Sequence, residues 1–221
     1  MTSTSANGQK GTVVLLHGLA RNAASMRKME NALRCAGYET VNIDYPSTRF
    51  PVEELAELVL AEIEDRVGDA ARVHFVTHSM GGILVRYINE HLEFSRTDRV
   101  VMLCPPNKGS EIVDRLGGFR FFEWWNGPAG LQLGTSGDGL IAGLGSIEFE
   151  LGVLTGDRSI NWILSLMIPG PNDGKVSIES ARLSGMADYK VVQATHPYIM
   201  KNRTVIKDVL AFLETGKFSD S

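Results

Sequence analysis

The chain has 221 residues, of which 43% are hydrophobic and 22% are charged, and its formal net charge is −4 at pH 7. This balance is typical of an ordinary globular protein, so we expect one domain over residues 1–221 with a sizeable core. The small acidic excess does not indicate a nucleic-acid partner or an anionic membrane surface. The polar segment 1–11 lacks the apolar core of a signal peptide, and no apolar run approaches the roughly 20 residues of a membrane span. We therefore expect, by default, a cytoplasmic protein without a stable membrane anchor.

Strand and helix patterns alternate through the first half of the chain. A continuous apolar run at 12–16 predicts a strand that is buried on both faces. The full succession is strand 12–16, helix 22–36, strand 39–43, helix 51–68, strand 73–77, helix 83–92 and strand 99–103. This alternation indicates a parallel sheet with helices on both of its faces.

The section from Pro105 to Gly145 breaks this pattern. It is rich in glycine and aromatic residues and has no clear period, so we interpret it as a cap-like insertion over the sheet edge rather than a second domain. Its aromatic cluster comprises Phe119, Phe121, Phe122, Trp124 and Trp125. Strand patterns return over 148–154 and 190–194, and a last helix is predicted over 202–214.

The two cysteines, Cys35 and Cys104, lie in a predicted helix and at a predicted strand end. Two thiols are too few for a disulfide framework or, by themselves, for a zinc site. Free cysteine is usually a small buried apolar group. We therefore expect both side chains in the core.

The hexapeptide Thr-His-Ser-Met-Gly-Gly at 77–82 links a short apolar strand at 73–76 to the helix at 83–92. A serine at a sharp strand-to-helix turn has its side chain lifted off the sheet, and the next backbone N–H is aimed at the reacting carbonyl. Ser79 is therefore a candidate nucleophile, and the Met80 N–H is a candidate oxyanion donor.

The turn His-Gly-Leu at 17–19 follows the first predicted strand. Because the ends of parallel strands meet at one edge of the sheet, this turn brings the Leu19 N–H near Ser79 as a second oxyanion donor. We expect His17 to hold the loop through hydrogen bonds rather than to transfer protons.

A serine hydroxyl needs a base within hydrogen-bond reach, and that base needs an orienting carboxylate. Of the five histidines, His196 alone lies on a strand-end loop downstream of the acid candidates, so we expect it to be the base. Asp173, in an Asn-Asp-Gly turn, is the expected acid, although such a turn is also common in ordinary loops. Asp157, after the preceding predicted strand, is the alternative, followed by Asp138 and Asp188.

Four motifs follow one another along the chain: Leu-Leu-His-Gly-Leu at 15–19, Thr-His-Ser-Met-Gly-Gly at 77–82, Asn-Asp-Gly-Lys-Val at 172–176 and Thr-His at 195–196. Together they resemble the α/β-hydrolase superfamily, in particular its bacterial lipase and esterase branch, over about residues 12–213. The segment Pro-Pro-Asn-Lys-Gly-Ser at 105–110 also resembles that branch. The resemblance implies the same roles for Ser79, for Asp173 and for the His-Gly-Leu turn.

One position departs from the family pattern. Thr77 stands where the usual Gly-X-Ser-X-Gly motif has a glycine that permits close packing around the turn. The segment before residue 12 is also too short for the two additional leading strands of larger relatives. The resemblance therefore implies a minimal α/β-hydrolase fold with a mostly parallel sheet of about six strands.

The resemblance implies a serine hydrolase that cleaves carboxylic esters with an apolar acyl or alcohol part through an acyl-enzyme, with no metal or cofactor. The alternatives are an acyltransferase or thioesterase, an amide or lactone hydrolase, and a non-catalytic binding protein of the same fold. Trp124 and Trp125 are expected to contact substrate or, alternatively, to pack the insertion onto the sheet. No cluster of arginine and lysine flanks the predicted site in sequence, so a phosphate-bearing substrate is not suggested. A monomer or weak oligomer is expected.

Overall fold

A computed structural model describes residues 10–92, 94–118, 120–159, 168 and 170–219, with the backbone alone for 120–123. Its strands are β1 (Thr12–Leu16), β2 (Glu39–Ile43), β3 (Val73–His78), β4 (Thr97–Leu103), β5 (Glu150–Arg158) and β6 (Asp188–Thr195). In the described residues they form one 6-stranded sheet in the order β2-β1-β3-β4-β5-β6, and every neighbouring pair is parallel. The prediction of a minimal, mostly parallel sheet is confirmed.

Helices connect the strands. The described helices are α1 (Arg27–Cys35), α2 (Val52–Val67), α3 (Met80–His91), α4 (Glu111–Leu116), α5 (Arg120–Leu131), α6 (Leu140–Gly143) and α7 (Arg203–Thr215). A 3₁₀ turn precedes α1, and another, His196–Lys201, leads from β6 towards α7. No helix in the described part of the chain is both long and apolar enough to cross a membrane.

The two faces of the sheet are buried under different helices. All five residues of β1 are buried, and successive side chains point to opposite faces because a strand has a period of two. Val14 and Leu16 join the core that also contains residues of α2 and α3, whereas Val13 and Leu15 join the core that contains residues of α1 and α7. Helices therefore cover both faces, as the alternating pattern predicts.

The order of the strands opens a crevice at one edge of the sheet. From β1 the chain moves outward to β2 and then returns past β1 to β3. The connections after β1 and β3 therefore leave in opposite directions. Open α/β sheets bind their ligands where two neighbouring connections diverge in this way, in the crevice at the carboxyl ends of the strands.

The section between β4 and β5 contains α4, α5 and α6, and non-helical backbone at Gly127 breaks α5. Apolar side chains on both sides of α6 join the core that α2 and α3 cover. The buried Arg86 of α3 donates hydrogen bonds to the carbonyl oxygens of Asn107 and Leu144, at 3.1 and 3.0 Å. One guanidinium thus holds both ends of this section against α3.

Three expectations from the sequence are wrong. Cys35 is exposed, while Cys104 is buried, because Cys35 lies two residues beyond the buried Leu33 and hence on the far side of α1. The helix predicted from residue 83 begins earlier, at Met80, directly after Ser79. Asp157 lies inside β5 rather than after it, because the strand is longer than its apolar run.

We predict that Arg86→Met lowers the free energy of unfolding by about 2–3 kcal/mol, since it leaves two buried carbonyl groups without their charged donor. Urea unfolding measures this change. The matched control is Arg66→Met, which removes an exposed Arg66–Glu62 ion pair on α2 and should cost less than about 1 kcal/mol. Equal losses in the two variants would contradict the role of Arg86.

Candidate active site

Three predicted site residues converge at the carboxyl edge of the sheet. Ser79 directly follows β3, His196 directly follows β6, and Asp173 lies in the connection between β5 and β6. The Ser79 Oγ lies 3.1 Å from Nε2 of His196, and Nδ1 of His196 lies 2.7 Å from Oδ2 of Asp173. All three residues are buried. This hydrogen-bonded chain can move a proton from the serine hydroxyl to the imidazole while the carboxylate stabilises the resulting cation.

The Ser79 backbone has a conformation that few side chains adopt. Its φ is 52° and its ψ is −121°, and a non-glycine residue in such a region costs on the order of 1–3 kcal/mol. The strain is held by the strand below, since the Ser79 N–H donates to the Leu103 carbonyl of β4 at 2.8 Å. The turn is therefore sharp enough to project the hydroxyl away from the sheet.

Thr77, which departs from the family pattern, fits into the turn because a glycine, Gly82, lies opposite its side chain. Its side chain is fully buried, and a Cβ built on Gly82 would lie 3.3 Å from Thr77 Oγ1. A Cβ on Gly81 would lie 2.8 Å from the Leu16 carbonyl oxygen. The two glycines that open α3 thus leave room for the threonine and for β1.

Asp173 is held by its own turn. Its Oδ1 accepts hydrogen bonds from the Lys175 and Val176 amides, at 2.9 and 2.8 Å, while Oδ2 faces His196. Burial by itself raises the pKa of Asp173, but the charge and hydrogen bond of His196, together with further donors, outweigh it and hold this pKa below its ordinary value. The carboxylate is therefore ionised at neutral pH.

The alternative acids have other surroundings. Asp157 is exposed on β5, and its carboxylate lies 3.6 Å from its chain neighbour Arg158. Asp188 accepts hydrogen bonds from the Tyr189 and Phe218 amides, and Asp138 is exposed. Among these candidates, only Asp173 has a described hydrogen bond to His196.

The two predicted oxyanion donors flank the serine. Met80 is the first residue of α3, and the first amides of a helix have no partner within the helix. Leu19 lines the same pocket as Ser79. A Cβ on the adjacent Gly18 would lie 3.1 Å from the Ser79 Cβ, so the turn after β1 packs directly against the serine. The Leu19 and Met80 backbones therefore lie next to Ser79, and their role as oxyanion donors stays a prediction.

His17 holds the turn after β1. Its Nδ1 donates to the Gly18 carbonyl at 2.8 Å, and its Nε2 accepts the Tyr45 N–H at 3.3 Å. The Tyr45 ring stacks on the imidazole at 4.1 Å, and the Tyr45 hydroxyl donates to the His17 carbonyl. Burial lowers the pKa of His17, so the ring is neutral and its two nitrogens suit this pair of contacts.

Sequence reasoning missed His78, which contacts the backbone of the predicted base, His196. Its Nε2 donates to the His196 carbonyl at 2.9 Å, and the two rings lie 5.0 Å apart. Burial, and after it the neighbouring His196, hold the pKa of His78 well below its ordinary value. The neutral ring fixes the His196 backbone without adding a positive charge. Its position next to Ser79 in the chain was the available signal.

Cys104 is the other neighbour that the sequence did not reveal. Ligand atoms of Cys104, Asp173 and His196 lie within 4.8 Å of one another. Burial, and after it the charge of Asp173, raise the pKa of Cys104 well above its ordinary value, so it stays a thiol. A metal would need the thiolate and would compete with the Asp173–His196 hydrogen bond. The donor set is therefore a poor fit for a metal ion.

A mostly apolar pocket of about 400 Å³ opens above Ser79. Its apolar wall includes Leu19, Ile112, Val113, Leu116, Leu133 and Val176. Trp125 also lines it, whereas Trp124, 76% exposed, borders a neighbouring cleft. The predicted cluster members Phe119, Phe121 and Phe122 lie outside the residues whose side chains are described.

The pocket also contains two cations, Arg21 and Lys175. The absence of an arginine and lysine cluster beside the site in sequence therefore does not mean that the pocket lacks positive charge. The two residues are far apart in sequence, and folding brings them together because each lies two positions after a predicted site residue, Leu19 or Asp173. That spacing was the signal in the sequence.

We predict that stability falls as the pH drops below about 6.5, because His78 binds a proton in the unfolded chain but stays neutral when buried. His78→Gln retains a donor for the His196 carbonyl and should reduce the slope of unfolding free energy against pH by up to about 1.4 kcal/mol per pH unit. Urea unfolding between pH 7.5 and 5 measures the slope. The control is His91→Gln, the same change at an exposed position. An unchanged slope in His78→Gln would refute the assignment.

Several solved structures share this fold. The mature form of lipase BlEst2 from Bacillus licheniformis is 19% identical with a TM-score of 0.73, and the match covers 96% of this chain and 94% of that one. The match covers only 52% of the propeptide form of the same lipase. A metagenomic carboxyl esterase is 20% identical with a TM-score of 0.68, and the match covers 87% of this chain and 66% of that one.

No curated protein sequence is significantly similar to the chain. Residues 13–189, most of the chain, match the sequence profile of the Alpha/beta hydrolase family. This match and the shared fold confirm the resemblance that the four motifs indicated. The protein therefore belongs to the Alpha/beta hydrolase family.

Proposed function

We propose that this protein is a serine hydrolase that cleaves carboxylic esters with an apolar acyl or alcohol part. The observation that carries the proposal is the continuous hydrogen-bonded chain from Ser79 through His196 to Asp173, at the floor of an apolar pocket. A hydroxyl, a base and an orienting carboxylate in this order form the minimum set for acyl transfer through serine. The similar solved structures include a lipase and a carboxyl esterase, which supports an ester as substrate.

In the first half of the proposed reaction, Ser79 Oγ attacks the ester carbonyl carbon while Nε2 of His196 takes the hydroxyl proton. Asp173 stabilises the imidazolium and keeps the other ring nitrogen protonated. Negative charge develops on the carbonyl oxygen, which accepts hydrogen bonds from the Leu19 and Met80 amides. The bond to the alcohol then breaks, His196 returns the proton to the leaving alkoxide, and an acyl ester remains on the serine.

In the second half, a water molecule replaces the alcohol. His196 takes a proton from the water as its oxygen attacks the acyl carbon, and the same amides stabilise the second oxyanion. Cleavage of the bond to Ser79 releases the carboxylic acid and returns the proton to the serine. Neither half requires a metal or a cofactor.

The pocket supports the choice of an apolar substrate. Aliphatic side chains from the turn after β1, from α4 and from the segment after α5 form most of its wall. An acyl chain that moves from water into such a wall gains about 0.8 kcal/mol per buried methylene. Trp125 lines this pocket and is proposed to contact the substrate, and Trp124 is proposed to border its entrance.

We predict that a fluorophosphonate probe labels wild-type protein on the peptide containing Ser79, because the probe phosphorus reacts with an activated serine. Ser79→Ala should abolish both labelling and hydrolysis of a short p-nitrophenyl ester. Ser136→Ala, at an exposed serine, should leave both intact. Mass spectrometry locates the labelled residue. The proposal would be contradicted if folded wild-type protein stays unlabelled or is labelled at another residue.

A second prediction separates the two carboxylates. Asp173→Asn should lower kcat on the p-nitrophenyl ester by roughly 10³–10⁴-fold, since the amide no longer stabilises the correct tautomer and charge of His196. Asp157→Asn makes the same substitution on exposed β5 and should change kcat less than about threefold. If only the second variant loses activity by orders of magnitude, Asp173 is not the acid.

A further inference from the structure

The pocket above Ser79 joins an apolar wall to a pair of positive charges. Arg21 follows the turn after β1, and Lys175 lies in the turn that holds Asp173. Both residues line the pocket together with Ser79 and His196. An ester with only apolar parts would leave these two groups unused.

Several other cations in the described part of the chain have carboxylate partners. Lys108 pairs with Glu179 at 2.6 Å, and Lys190 pairs with the buried Asp208 at 3.0 Å. Within the described residues, no carboxylate forms an ion pair with Arg21 or with Lys175. Asp173 is near, but both of its oxygens already accept hydrogen bonds from its own turn or from His196.

The two cations also lie close enough to affect each other. Desolvation lowers the pKa of Lys175, and the charge of Arg21 lowers it further. Two like charges beside an apolar wall repel, and an anion placed between them would relieve that repulsion. Both side chains remain accessible from solvent, so a bound molecule can reach them.

We infer that the natural ester carries an anionic group, and that Arg21 and Lys175 bind this group while the apolar part of the substrate fills the pocket. The inference rests on the proposed esterase function and narrows its substrate class to amphipathic esters with a negative charge. Arginine binds planar carboxylates and phosphates through two parallel hydrogen bonds, and lysine adds a point charge. A carboxylate or a phosphate meets this chemistry.

The test compares two p-nitrophenyl esters of equal length, the hemisuberate with a terminal carboxylate and its neutral terminal carboxamide. Wild-type protein should hydrolyse the carboxylate ester with a kcat/KM at least about tenfold higher, as expected of a charge-assisted hydrogen bond. This ratio should fall as salt is added, because ions screen partly exposed charges. Arg21→Gln with Lys175→Gln should bring the ratio to about one.

The matched control is Arg27→Gln with Lys207→Gln, which removes the same charge at exposed positions outside the pocket. This double variant should retain the wild-type ratio. The inference is overturned if wild-type protein hydrolyses the two esters with equal kcat/KM, and if the ratio of these kcat/KM values changes neither with salt nor with the pocket substitutions. The esterase function would still stand.

Binding to Ser79→Ala separates the two proposals, because it needs no turnover. Calorimetry should show tighter binding of the carboxylate ester than of the carboxamide ester, and competition by suberate or by inorganic phosphate then identifies the preferred anion. Competition by neither anion overturns the inference. If wild-type protein cleaves neither ester although Ser79→Ala binds the anionic one, the esterase function fails and the anion site stands.

Discussion

The strained backbone of Ser79 is the constraint on which the candidate site depends. At a φ of 52° the serine would relax unless the strand and helix on either side were fixed. The strand is fixed because the Ser79 N–H donates a hydrogen bond to the Leu103 carbonyl. The helix is fixed because Gly81 packs closely against the end of β1. The turn therefore places the Ser79 hydroxyl next to the first amide of α3, which supports their proposed roles as nucleophile and oxyanion donor. The sheet provides the rigidity that keeps this turn in place.

Burial and hydrogen bonding together decide which side chains at the site carry a charge. His17 and His78 are buried next to backbone carbonyls, and desolvation keeps both rings neutral. Asp173 is equally buried, but its hydrogen bonds and His196 keep it ionised. The floor of the pocket therefore carries one negative charge, directed at one imidazole, while the positive charges of Arg21 and Lys175 stand on the wall. This division suits the proposed role of His196 as a base that gains a proton, and it leaves the wall cations available to the proposed anionic substrate group.

Much of the fold could be predicted from sequence because parallel strands are buried on both faces and read as short apolar runs. The bounds of β1 and β2 match the predicted ranges. Predictions failed where burial depends on neighbours that the sequence does not place. A free cysteine is usually a core residue, but Cys35 lies on the outer, exposed side of α1. Asp157 seemed to follow its strand because β5 extends beyond its apolar residues.

The sequence by itself determined the alternation of strands and helices, the family, and the short list of serine, carboxylate and histidine candidates, because each depends on local spacing and on turn chemistry. The turn around Asp173 favoured it over Asp157, but only the tertiary structure showed that Asp173 is buried within hydrogen-bond reach of His196 while Asp157 is exposed on β5. It also decided that His78 supports His196 from behind and that Arg21 and Lys175 share one pocket. These contacts join residues that are remote in the chain, and they arise when the strand ends converge at one edge of the sheet.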